Sequence, residues 1–157
     1  MDAELEEKLA EMLRSSRMAG LGTLRDGSPL VSMVAYIPEN DFSAFYVHIS
    51  KLAQHTRDLL ADPRAGLLVS EPDDGRADPQ TLARISILGR AEQIAAEDAA
   101  YQGIRSRYIG RFPQSAPLFR FGDFGLWRIV PQSARFVAGF AQAFNLTPEA
   151  LKGVVQA

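Results

Sequence analysis

Residues 48–64 read His48-Ile49-Ser50-Lys51-Leu52-Ala53-Gln54-His55-Thr56-Arg57-Asp58-Leu59-Leu60-Ala61-Asp62-Pro63-Arg64. An apolar, β-prone run, Ala44 to Ile49, passes directly into a segment with helical spacing, Lys51 to Ala61, whose apolar side is Leu52, Leu59 and Leu60. Asp62-Pro63 ends it, because the residue before a proline resists the helical conformation. A strand therefore feeds a helix start that carries two hydroxyls, a lysine, a histidine and an arginine. Helix N-termini present unpaired N–H groups and partial positive charge, which suits an anion such as a phosphate. Ser50, His55 and Thr56 can donate hydrogen bonds, and Lys51 and Arg57 add charge. The same residues also fit a plain helix start, with Ser50 as its cap and the cations on a solvated face.

Upstream, residues 3–15 have Leu5, Leu9, Met12 and Leu13 on one helical face, within an N-terminal helical segment 1–16. Met18 to Leu24 and Pro29 to Ile37 are strands about an Arg25-Asp26-Gly27 turn, and Ala44 to Ile49 continues the meander. Downstream, Ala65 to Ser70 is a strand and Glu71 to Pro79 an exposed loop. Ala83 to Ile94 is a long strand with a bulge expected at Gly89. Ala96 to Ile109 is expected as a helix with Tyr101, Ile104 and Tyr108 on one face. Phe124 to Val130 and Arg135 to Ala138 are the last two strands. Thr147 caps a terminal helix over 147–155, with Pro148 in its first turn.

This gives a mainly β chain with peripheral helices, of α+β class. Its six or seven short strands are mostly antiparallel and favour a small barrel, with helices closing its edges and ends. With no repeat or linker, 1–157 reads as one domain.

Composition narrows the function. The chain has 157 residues, 46% hydrophobic and 23% charged, with net charge −2 and no cysteine. There is no global attraction to nucleic acid or anionic membrane. Thiolate metal sites, Fe–S clusters and a cysteine nucleophile are excluded. The two histidines, His48 and His55, cannot form a three-histidine zinc site. The first residues are acidic and amphipathic, unlike a secretory signal, so the expected location is cytoplasmic. Gly20-Leu21-Gly22 lies inside a strand and opens no helix, so it is not a dinucleotide fingerprint. There is no GxSxG elbow. Near the end, Phe124 and Gly125-Leu126-Trp127-Arg128 could offer an aromatic and a guanidinium to a planar ring. Arg84 alternates with apolar positions and could reach into a groove.

The order of these segments resembles the pyridoxamine 5′-phosphate oxidase-like, flavin mononucleotide (FMN)-binding split-barrel family, in its branch related to bacterial haem-utilisation proteins. The resemblance spans about residues 14–146. It rests on Gly27-x-Pro29 before Val31 to Tyr36, on Ser50 to Arg64, on Ala83 to Ala91, on Arg107-Tyr108, on Phe121 to Phe124 and on Arg128 to Pro131. His55 to Arg64 is its most specific part. It implies a split β-barrel homodimer with FMN at the interface. Ser32 and Val34 would line the ring and ribityl side. Ser50, Lys51, Gln54, His55 and Thr56 would surround the phosphate. Arg84 would lie near the pyrimidine edge, and Phe124 and Arg128 would come from the partner subunit.

An FMN-dependent oxidoreductase of unknown substrate is the expectation that follows, since the flavin itself carries the redox chemistry. The oxidases' arginine-and-histidine substrate signature is not found, so vitamin B6 oxidation is not implied. No histidine follows His55, so haem breakdown through a C-terminal histidine is not expected either. A haem-binding module, with His48, His55, Tyr101 or Tyr108 as axial ligand, is the alternative. A deazaflavin-dependent reductase is a further one.

Overall fold

The structure is a computed structural model and describes residues 1–154. Seven strands form one antiparallel sheet. They are β1 (Met18–Arg25), β2 (Ser28–Pro38), β3 (Phe45–Ser50), β4 (Arg64–Ser70), β5 (Arg84–Gln93), β6 (Phe124–Gly139) and β7 (Gln142–Leu146). The order is β3-β2-β1-β4-β5-β6-β7, and a further β3–β6 pairing closes the first six into a barrel. Closure removes the open edges of a small sheet. The helices are α1 (Ala3–Ser15), α2 (Gln54–Ala61), α3 (Tyr101–Arg111) and α4 (Pro148–Gly153). None is long and apolar enough to cross a membrane.

The barrel interior takes alternate residues of each strand, because successive side chains point to opposite faces. Ala19 and Leu21 of β1, Val34 and Tyr36 of β2, Phe45 and Val47 of β3 and Phe136 of β6 are buried there, with Leu9 and Leu13 of α1. The Tyr36 hydroxyl donates to the Leu13 carbonyl at 2.8 Å, so this buried phenol ties α1 to the barrel. A second cluster lies outside the barrel, beneath α3. It includes Tyr46, Ile104, Tyr108, Phe112 and Leu126.

Most boundaries follow the pattern of the sequence, and the exceptions have local causes. The helix after β3 begins at Gln54 rather than Lys51. Ser50 Oγ accepts from the Leu52 N–H, and the Ser50 carbonyl accepts from the Ala53 N–H, making a separate turn first. The cap position is thus Ala53, with no side-chain cap, in place of Ser50. Likewise α3 starts at Tyr101 instead of Ala96. The Asp98 carboxylate accepts from the Ala100 N–H at 2.8 Å and holds a turn there. The two expected final strands are one strand, β6. Its register against β5 jumps from Ser133 opposite Leu88 to Pro131 opposite Gly89, leaving Gln132 as the extra residue. The bulge expected at Gly89 is therefore present, with the extra residue on the facing strand. β7 was not expected from the sequence. Its hairpin turns through Gly139 and Ala141, both at positive φ, without a turn dipeptide to announce it. Thr147 caps α4 as expected, accepting from the Ala150 N–H at 3.2 Å, and the expected end at Val155 lies outside the described residues.

Candidate functional site

The strand-to-helix junction after β3 meets the middle of β2. Ser32 pairs with Leu21 and shares its inward face, near the barrel end against which α2 packs. The Ser32 hydroxyl lies 3.1 Å from His55 Nδ1. His55 Nε2 is buried and has no hydrogen-bond partner. Burial holds the His55 imidazole below its ordinary pKa, and the nearby Asp58 charge opposes that shift. The ring is therefore neutral at physiological pH.

Asp58 is the residue that sequence reasoning missed. It is 3% exposed. Its Oδ2 accepts from Thr23 Oγ1 at 2.9 Å and its Oδ1 from Gln54 Nε2 at 2.8 Å. Thr23 is itself buried on β1, so the carboxylate clamps the first turn of α2 to the barrel. The available signal was an aspartate on the apolar side of a short helix, directly before Leu59.

The other expected residues divide into groups. Thr56 is 1% exposed and its hydroxyl donates to the Ser50 carbonyl at 2.6 Å. That proton is committed within the junction. Lys51 and Arg57 are exposed, and the Lys51 N–H donates to the Asp123 carbonyl at 2.6 Å. With no side chain at the cap of α2, the N–H groups of its first turn are not filled by one. The Val34 side chain is packed in the core, so only its backbone can meet a ring outside the barrel. Phe124 is half-buried and pairs with Ser50, so it borders the corner.

Among the described residues, Arg84 and Arg128 form no hydrogen bond or ion pair with the corner. Arg84 donates to the Gln80 and Leu82 carbonyls at 2.8 and 3.1 Å. Arg128 lies 3.5 Å from Asp98 and 3.9 Å from Glu92. Its Nε is buried without a hydrogen-bond partner.

Beside the corner, a groove of about 940 Å³ runs over the outer face of β2, β1 and β4. Its lining includes Arg17, Met18, Gly20, Val31, Ser32, Met33 and Leu68. Val31 and Met33 are 76% and 72% exposed, and Met18 and Leu68 also stand free. Gly20 faces Leu68 across the β1–β4 pair, so the Leu68 side chain stands over the floor there. The space and its apolar wall suit a large planar ring.

His48, two residues before Ser50, lies beneath α3. Its ring stacks on Phe119 at 3.6 Å between centroids and meets Tyr108 edge-on at 5.8 Å. Burial lowers its pKa to about 4. Tyr108 donates to the Ala35 carbonyl at 3.3 Å, and burial pushes its phenol up to about 12. Among the described residues no cluster of histidine and carboxylate ligands could hold a metal ion.

Comparison with known proteins agrees with this architecture. The chain is 36% identical over 155 residues to the chloroplastic heme oxygenase HOZ of Arabidopsis thaliana, covering 96% of this chain and 46% of that protein. It thus spans about half the length of that relative. It is 23% identical over 153 residues to the heme oxygenase HutZ of Vibrio cholerae, covering 96% of this chain and 86% of that protein. Among solved structures, a heme binding protein from Mycobacterium smegmatis superposes with a TM-score of 0.84 at 27% identity, over 98% of this chain and 61% of that one. The family model described as pyridoxamine 5′-phosphate oxidase matches residues 5–138. With its closed antiparallel barrel and this match, the chain belongs to the pyridoxamine 5′-phosphate oxidase family of split barrels.

Proposed function

We propose that this protein binds haem as a homodimer and serves in haem utilisation. The observation that carries the reading is the 36% identity, along nearly the whole chain, to a heme oxygenase. The outer groove has room for a tetrapyrrole, and its apolar wall of Val31, Met33 and Leu68 suits the ring. Ser32 lines the groove and lies 3.1 Å from His55; with Ser50, Lys51, Gln54 and Thr56 of the same junction, these residues would hold the acidic side chains of the ring. A second copy of the chain would cover the exposed apolar face and bring Arg84, Phe124 and Arg128 toward the ring's other side. When bound, haem supplies an iron that takes up oxygen and exchanges electrons, while the chain's own residues orient the ring and exclude water.

FMN is the second reading. The uncapped first turn of α2, beside a neutral histidine and two exposed cations, suits the compact dianion of a phosphate. The protein would then be an FMN-dependent oxidoreductase.

One titration separates the two. Added hemin should give a saturable Soret band, and added FMN should leave that band unchanged and keep its own free fluorescence. Quenching of FMN fluorescence with no Soret band would transfer the proposal to the flavin. A protein that binds neither would overturn both readings.

A further inference from the structure

The corner holds a buried carboxylate with no cation beside it. Both Asp58 oxygens accept hydrogen bonds from neutral donors, Thr23 and Gln54, and Asp58 forms no ion pair among the described residues. A buried carboxylate without a counter-charge is expensive, and neutral hydrogen bonds offset only part of that. The group near it that can become a cation is His55, one turn earlier on α2. In either neutral tautomer one edge of the His55 ring stays unsatisfied: Nδ1 has the Ser32 hydroxyl, and Nε2 has nothing. As the charged ring, Nδ1–H donates to Ser32 and Nε2–H is free for an anion.

We infer that His55 takes up a proton when an anionic ligand tail occupies the corner, and that Asp58 is the positioning residue that makes this possible. The inference deepens the proposed cofactor site and rests on it. The tail's shared chemistry is anionic oxygen, from a propionate or a phosphate. Placed between that tail and Asp58, the imidazolium would be balanced on both sides, whereas without such a tail burial keeps it neutral. The groups facing His55 from the neighbouring strands are Ser32 of β2 and, through Asp58, Thr23 of β1, and neither titrates in the relevant range. Lys51 and Arg57 are exposed and form no ion pair with Asp58 among the described residues. The added proton comes from solvent, and no bond other than N–H forms.

The test is calorimetric titration with FMN in buffers of different ionisation enthalpy, between about pH 7 and pH 9, where the free phosphate is already a dianion. Riboflavin, which lacks the phosphate, is the control, and hemin binding is followed over the same range by its Soret band. Under the haem reading FMN stays free and the expected result is a hemin affinity that depends on pH; under the flavin reading it is proton uptake with FMN and none with riboflavin. Affinity should fall by up to about tenfold per pH unit between the free-state and bound-state pKa of His55 and level off above the latter. His55→Lys, charged without uptake, should bind with a flat pH profile, and Asp58→Asn should take up less proton than the wild type. Near-ultraviolet circular dichroism establishes that each variant is folded. FMN or hemin binding with no proton uptake and no pH dependence would overturn this inference and leave the cofactor reading standing. Absence of binding by both ligands would overturn the two together.

Discussion

The Ser32 hydroxyl and His55 Nδ1 lie 3.1 Å apart, joining the middle of β2 to the first turn of α2 across 23 positions of sequence. Ser32→Ala removes that ring's only hydrogen-bond partner among the described residues. The expected loss is about 0.5–1.5 kcal/mol of stability, as for a typical side-chain hydrogen bond. Urea denaturation measures it, and unchanged stability would mean the pair contributes nothing net.

Gly89 is held to glycine by its neighbour across the sheet. A Cβ there would overlap the Val130 carbonyl oxygen and stand 3.0 Å from its carbon. Both groups are backbone, fixed by the β5–β6 ladder, so neither can swing away. Gly89→Ala should destabilise the fold by about 1–3 kcal/mol, the range for overpacking. Gly103 on α3 has nothing within 4 Å of the same position. Gly103→Ala should stabilise by up to about 1 kcal/mol, through helix propensity. Thermal melts of the two variants should move in opposite directions.

Burial sets the pKa of His48 at about 4, against an ordinary value of 6.5. An unfolded chain accepts a proton below pH 6.5 that the folded protein refuses until about pH 4. The stability tied to the neutral ring is thus complete above pH 6.5 and is lost as pH falls toward 4. His48→Phe keeps the stack on Phe119 and removes the titration. Its urea midpoint should fall less than that of the wild type between about pH 7 and about pH 5. Parallel declines would show that His48 does not set the acid sensitivity.

The exposed face of Val31 and Met33 is the surface on which a second copy is proposed to sit. Met33→Glu places a charge at its centre, and burying an unpaired charge in an interface is strongly unfavourable. Light scattering should report a dimer for the wild type and a monomer for the variant. A wild-type monomer would remove the homodimer from the proposed function.

The barrel was legible because its strands are short, alternate in polarity and are separated by recognisable turns. Residues 48–64 showed the strand-to-helix junction because Asp62-Pro63 ends the helix, but the expected apolar side is not the buried one: Leu52 and Leu60 are exposed, while Thr56, Asp58 and Leu59 are buried. Less legible were features set by distant partners. The start of α2 depends on how Ser50 spends its hydroxyl and carbonyl, and Lys51 is engaged by Asp123, which lies far along the chain. The continuity of β6 depends on β5, which carries the strand past Pro131. Asp58 looked like one more polar residue of a helix, since its burial follows from Thr23 on another element.

The extra residue at Gln132 changes which positions of β6 meet the core. Before it, odd-numbered Trp127 and Ile129 are inside, and after it even-numbered Ala134, Phe136 and Ala138 are. The strand thus carries a phase switch. Deleting this one polar residue would turn one half of β6 inside out, although it removes no core side chain. For the same reason, a gap placed a few positions away in a sequence alignment would assign the residues between the two positions to the wrong side of the wall.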